Sequence, residues 1–123
     1  MMKLTFDNNA LNKINQLKNT QDELVLDLDD GIGEFSDYLS QNGLKYNLFI
    51  TPAKTIPVTF SNVLMSNAGK VYFNHDTELT LDQDMQVIFD YHTSTFQLRS
   101  TNTLLEPNFQ ISKKSPTNDI AIR

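Results

Sequence analysis

The sequence predicts a β-dominated α+β domain: a compact, twisted β-sandwich or small barrel with one main helix near its N-terminus. Three observations predict it. A single stretch near the start repeats apolar residues at helical spacing. From Leu24 onward the apolar period changes to two, the period of a half-buried strand. Turn signals at DDGIG, QNG, NAG, NHD and DQD then follow at short intervals, so the strands have no helices between them and a parallel α/β sheet is disfavoured. The chain has 123 residues, enough for one core and too few for two.

The helix is expected over Asp7 to Lys18. Asp7 is a good N-cap, because its carboxylate can accept from backbone N–H groups left without partners in the first turn. Phe6 and Leu11 occupy the two positions of a hydrophobic staple. Ala10, Leu11, Ile14 and Leu17 form the apolar stripe. Strands are then expected around Leu24-Leu26-Leu28, Tyr46-Leu48-Ile50, Val71-Phe73, Leu79-Leu81, Met85-Val87-Phe89, Phe96-Leu98 and Phe109-Ile111. YHTST reads as a hairpin turn. Pro52 and Pro57 flank a run that belongs at an edge or in a loop, since proline cannot donate to a ladder. The final residues, SKKSPTNDIAIR, have weak pattern, so 113–123 is expected to be a poorly ordered tail behind a core of residues 1–112.

Composition bounds the function. Hydrophobic residues are 39% and charged residues 20%, a globular balance. The net charge is −5, and seven acidic residues with no Lys or Arg lie between Gln21 and Tyr38. Phosphate recognition relies on basic side chains, so this balance argues against nucleic acid and anionic membranes as partners. The start of the chain shows no secretory pattern, no apolar run approaches a membrane span, and there is no cysteine; a cytoplasmic location is expected.

LVLDLDDGIGEFS, Leu24 to Ser36, is the stretch most suggestive of chemistry. It fails as an EF-hand loop: from Asp27, the fifth position is Gly31 and the twelfth is Tyr38, where oxygen ligands belong. VLDLDD resembles the nucleophile motif of haloacid dehalogenase-like phosphatases, in which two aspartates and Mg²⁺ act together. That resemblance implies Asp27 as nucleophile and Asp29 as acid/base. It lacks the following Thr or Val and the alternating α/β context. The plain reading is a strand whose leucines face a core, whose Asp27 and Asp29 face water or a polar edge, and whose Asp30-Gly31 opens a turn.

The order of segments resembles the HesB/IscA-like domain, found in A-type carriers of iron–sulfur cluster assembly. MKLTFDNNALNKINQL, Met2 to Leu17, is similar to its opening strand and helix. DELVLDLDDGIGEFSD, Asp22 to Asp37, is similar to its next strand and glycine-rich turn. Lys70 to Asn102 resembles its later hairpin region, and EPNFQI, Glu106 to Ile111, its last strand. The resemblance implies a compact arrangement of twisted sheets packed on one helix. It also implies cluster ligands at a cysteine in the glycine-rich turn and at a Cys-x-Cys pair near the C-terminus. Here those places hold Gly31-Ile32-Gly33 and Ser112-Lys113-Lys114-Ser115. Clusters need soft thiolates, so no metal or cofactor ligand carries over. The expectation is a non-enzymatic protein-binding or accessory module. The turn Asp29, Asp30, Gly31, Ile32, Gly33 and Glu34 is the expected contact for a protein partner.

Other constellations are weaker. His75-Asp76 and Asp90-x-His92 provide two histidines with no third soft ligand. Ser36, Ser40 and Ser61 have no nucleophile-elbow context. Phe89, Tyr91 and Phe96 alternate as strand residues do.

Overall fold

A computed structural model of the chain describes residues 2–29, 45–101 and 103–114. The elements run β1 (Lys3–Phe6), α1 (Asn8–Leu17), β2 (Asp22–Asp29), β3 (Lys45–Pro52), a 3₁₀ turn (Ala53–Thr55), β4 (Asn62–Ser66), β5 (Gly69–Phe73), α2 (His75–Glu78), β6 (Asp84–Asp90), β7 (Thr95–Ser100) and β8 (Leu104–Lys113). The strands close into a barrel in the order β1-β4-β5-β2-β3-β8-β7-β6. Antiparallel pairs β2–β3, β4–β5, β6–β7 and β7–β8 are sewn together by parallel pairs β1–β4, β1–β6, β2–β5 and β3–β8. Closure removes the free edges that an open sheet of this size would expose.

The helix forms where its cap dictates. Asp7 Oδ1 accepts from the Ala10 N–H at 2.8 Å, and Oδ2 accepts from the Phe89 N–H at 2.8 Å. The Asp7 N–H donates to the Val87 carbonyl. One carboxylate thus starts α1 and ties it to β6. Ala10 and Ile14 are fully buried, so the apolar stripe closes one end of the barrel like a plug.

Strand alternation sets the core. Leu24 and Leu26 point inward opposite Ile50 and Leu48. On the outer face Val25 lies opposite Phe49, and Phe60 and Ile56 cover the pair to make a second small cluster. One expectation is corrected: Asp27 is 2% exposed and does not face water. The segment after Pro52 folds back over the outer face of β2 and β3, a long-range contact with no local signature.

Three further expectations change. Leu79 and Leu81 are not a strand: Asn74 Oδ1 accepts from the Thr77 N–H at 2.8 Å and caps a single helical turn, leaving Leu79 72% exposed. The NHD signal is therefore a helix start rather than a hairpin turn. β4 was not expected at all, because NVLMS buries only Leu64 and leaves Val63 and Met65 outward. β8 includes Lys113, and the Lys114 N–H still donates to the Ile50 carbonyl, so strand pairing runs past residue 112.

The barrel has two distinct ends. At the helix end lie α1, the start of β2, the end of β3, the end of β8, the β4–β5 turn and the β6–β7 hairpin tip. At the opposite end β2 stops at Asp29 across from Lys45, beside α2 and the starts of β4, β6 and β8. Among the described residues no helix is long and apolar enough to cross a membrane.

Candidate functional site

The turn singled out by sequence leaves the barrel at this second end. Asp29 is its first residue and pairs with Lys45; Asp30, Gly31, Ile32, Gly33 and Glu34 lie outside the described residues. The surroundings of that exit are well defined on two sides.

On one side α2 continues β2's neighbour. β5 pairs with β2 only at Leu24↔Val71 and Val25↔Tyr72. Farther along, the Leu28 N–H donates instead to Thr77 Oγ1 at 3.2 Å. Thr77 is fully buried, and its hydroxyl stands in for a strand carbonyl. The Asn62 side chain donates to Glu78 Oε1 at 3.2 Å, and His75 Nδ1 lies 3.4 Å from the same oxygen. Tyr46 Oη donates to the Thr80 carbonyl at 3.3 Å, fastening β3 to the turn after α2.

On the other side a buried carboxylate does similar work. Glu106 Oε1 accepts from the Tyr46 N–H at 2.9 Å, and Oε2 accepts from the Asn108 N–H at 3.2 Å with Lys45 Nζ at 3.7 Å. Lys45 Nζ also donates to the Asn108 carbonyl. β3 and β8 pair directly only from Asn47↔Gln110 onward, so Glu106 bridges the strands where they splay. The sequence signal for it was thin: an acid before a proline at a strand start. Thr77 gave none beyond its place three residues after a capping asparagine.

Of the two places that the HesB-like resemblance assigns to cluster ligands, Gly31-Ile32-Gly33 lies outside the described residues, and only Ser112, Lys113 and Lys114 of the other are described. Ser112 and Lys113 pair with Phe49 and Ile50 at the helix end. Asp29 pairs with Lys45 at the other end. Five strand residues separate those levels, about 16 Å at the usual rise. The donor set also does not suit iron or a cluster. The chain has no cysteine, and Lys113 Nζ is engaged at 3.0 Å with Asp22 Oδ2. Among the described residues no group of three or more His, Asp or Glu side chains is placed to hold a metal ion. His75 pairs within α2, and His92 sits on the β6–β7 hairpin, where its N–H donates to Asp90 Oδ1. Phe89, Tyr91 and Phe96 meet edge to face.

The ionisation of Asp22 is clearly displaced. The Asn19 N–H donates to Oδ2 at 2.9 Å, and together with Lys113 and Lys18 it holds the carboxyl below its ordinary value, against the opposing effect of burial. This ion pair seals the helix end of the barrel.

A profile of the family described as iron-sulphur cluster biosynthesis matches residues 2–113. Two crystal structures share the architecture. One, from Lactobacillus salivarius, is described as a candidate Fe-S biosynthesis protein with a novel protein fold; it is 24% identical with a TM-score of 0.80, covering 91% of this chain and 98% of that one. The other, described as a candidate Fe-S biosynthesis protein from Lactobacillus acidophilus, is 18% identical with a TM-score of 0.67, covering 91% of this chain and 90% of that one. At these identities the likeness establishes the fold alone. No curated protein matches the chain.

Proposed function

The chain belongs to the iron–sulphur cluster biosynthesis family, and from that premise we propose that it is a non-enzymatic accessory module of the cytoplasm that binds a protein partner rather than a cluster. The observation that carries this reading is the retention of the whole barrel in a chain with no cysteine. A fold and its site are separable, and here the scaffold is kept without the thiolates. The proposed contact is the turn Asp29 to Glu34. Asp29, Asp30 and Glu34 with Ile32 between them suit a basic partner offering a small apolar contact. Glu78 in α2 and Asp84 at the start of β6 lie at the same end of the barrel and add to its acidic character.

Two experiments test it. Anaerobic reconstitution with iron and sulfide should leave the desalted protein colourless; a stoichiometric visible chromophore would sink the non-carrier reading. The doubly substituted Asp30→Lys, Ile32→Ser protein should fold normally yet lose salt-sensitive capture of the native partner, and undiminished capture removes this turn. The phosphatase alternative needs Asp27 open to a phosphate, and the burial of Asp27 weighs against that. It predicts Mg²⁺-dependent hydrolysis abolished by Asp27→Asn.

A further inference from the structure

A second surface is built into the helix end, and it has the opposite character. β8 outlasts its neighbour β7. The β7–β8 pairing reaches only Phe96↔Phe109, after which β7 turns away through the hairpin tip at Ser94, a non-glycine residue with φ of 56°. β8 nevertheless runs on to Lys113. Which backbone groups face the gap follows from alternation. The Lys114 N–H points to β3, donating to the Ile50 carbonyl at 3.1 Å. Even-numbered residues of this stretch therefore face β3, and Ile111 and Lys113 turn their N–H and C=O toward β7's side. Among the described residues no strand lies beside them there.

That edge opens into a groove of about 250 Å³ between α1 and the hairpin tip, lined by Lys13, Ser94, Thr95, Phe96 and residues 108–112 of β8. The one charged side chain in this lining is the exposed Lys13; Lys113, just beyond the lining, is held by Asp22. In a chain of net charge −5, a groove with a cation and no acid is selective. Half-buried Phe96 supplies an apolar contact on one side of the edge, above the buried Phe109 and Ile111.

We propose that this groove is a strand-addition site for an extended acidic segment of another protein, paired to β8 through the Ile111 and Lys113 backbone with carboxylates near Lys13. Main-chain pairing at an open edge gives affinity, and alternate side chains give selectivity. The site is distinct from the proposed Asp29–Glu34 contact: β2 ends at Asp29 at the far end of the barrel, and that contact is proposed for a partner of the opposite charge.

The test uses the full chain and a synthetic octapeptide alternating Glu and Val, followed by NMR titration. The Glu–Val peptide should bind, shift the Ile111 and Lys113 amides, and slow their hydrogen exchange at least about tenfold. A Lys–Val peptide should bind at least about tenfold more weakly. Lys13→Glu, an exposed change on α1, should weaken the Glu–Val peptide by a similar factor. Methylating alternate backbone nitrogens of the peptide should abolish binding, because strand addition needs those N–H groups. Three results would overturn the proposal: no shift at Ile111 and Lys113 up to millimolar peptide, equal binding of the methylated peptide, or self-association of the protein alone with those two amides already protected.

Discussion

The helix end and the opposite end of the barrel solve the same structural problem with different chemistry. Both must finish strands of unequal length without leaving buried backbone groups unpaired. The helix end is closed by apolar burial and an ion pair: Ile14 and Ala10 enter the core, and Asp22 meets Lys113. The other end is closed by neutral and acidic side chains that imitate strand neighbours, with Thr77 serving Leu28 and Glu106 serving Tyr46. Charge divides along the same axis. At the helix end Lys13, Lys18, Lys54, Lys70, Lys113 and Lys114 outnumber Asp7, Asp22, Glu23 and Asp90, whereas at the other Asp29, Glu78, Asp82, Asp84 and Glu106 outnumber Lys3, Lys45 and Arg99. The lesson is that a chain-wide charge of −5 describes neither surface. One end carries a surplus of lysines and the other a surplus of acids.

The largest expected effect falls on the interior that both ends share. Leu26 is fully buried midway along β2, and Leu26→Asp places an unpaired charge there. The variant should be unfolded at 25 °C by circular dichroism, and a parental melting curve would mean that the barrel interior is wrongly assigned.

Ile14→Ala tests the plug itself. Removing a buried branched side chain typically costs about 2–5 kcal/mol. The loss should appear in chemical denaturation, with faster hydrogen exchange concentrated at the helix end. If exchange rises equally at Leu28, the two ends are not separable units.

Thr77→Val keeps shape and removes the acceptor for the Leu28 N–H. A buried donor left unsatisfied costs about 1–3 kcal/mol. The Leu28 amide should exchange faster while Ile14 and Lys113 keep their protection. No change at Leu28 would remove Thr77 from the closure of that end.

The Asn19 hydrogen bond and the Lys113 ion pair at Asp22 predict a pH signature confined to the helix end. The folded-state pKa of Asp22 lies below its ordinary value, so its contribution is full above the usual carboxylate range and is lost as pH falls through the lowered value. The melting-temperature gap between the parent and Asp22→Asn should be constant near neutrality and shrink below about pH 4. A gap that widens on acidification would contradict the assignment.

The smallest effect belongs to the Asp29–Glu34 turn. The double change Asp30→Lys and Ile32→Ser should alter stability by no more than about 0.5 kcal/mol, as surface substitutions usually do. Its consequence should be confined to partner capture, with the Glu–Val peptide still bound at the far end. Simultaneous loss of both would show that the two surfaces are not independent.

Much of this molecule is decided locally and could be read from the chain. The cap at Asp7, the stripe of Ala10, Leu11, Ile14 and Leu17, and the alternation in β2, β3 and β6 each depend on residues a few positions apart. So does the turn at Asn67–Gly69, where Gly69 takes a φ of +104°. The absence of thiolates was equally plain. What only the tertiary structure decided joins residues far apart in sequence. The parallel pairings of β1 with β6, β2 with β5 and β3 with β8 leave no periodic trace, because a strand's alternation records which face is buried and not which strand lies beside it. The burial of Asp27 leaves no local trace either, because alternation sets the face a strand residue takes and not what covers that face. β4 shows little alternation because only Leu64 faces inward, and Leu79 follows a helical turn capped by Asn74 rather than a strand. The surplus of lysines at the helix end is of the same kind: it exists only once closure has fixed which end of each strand points which way.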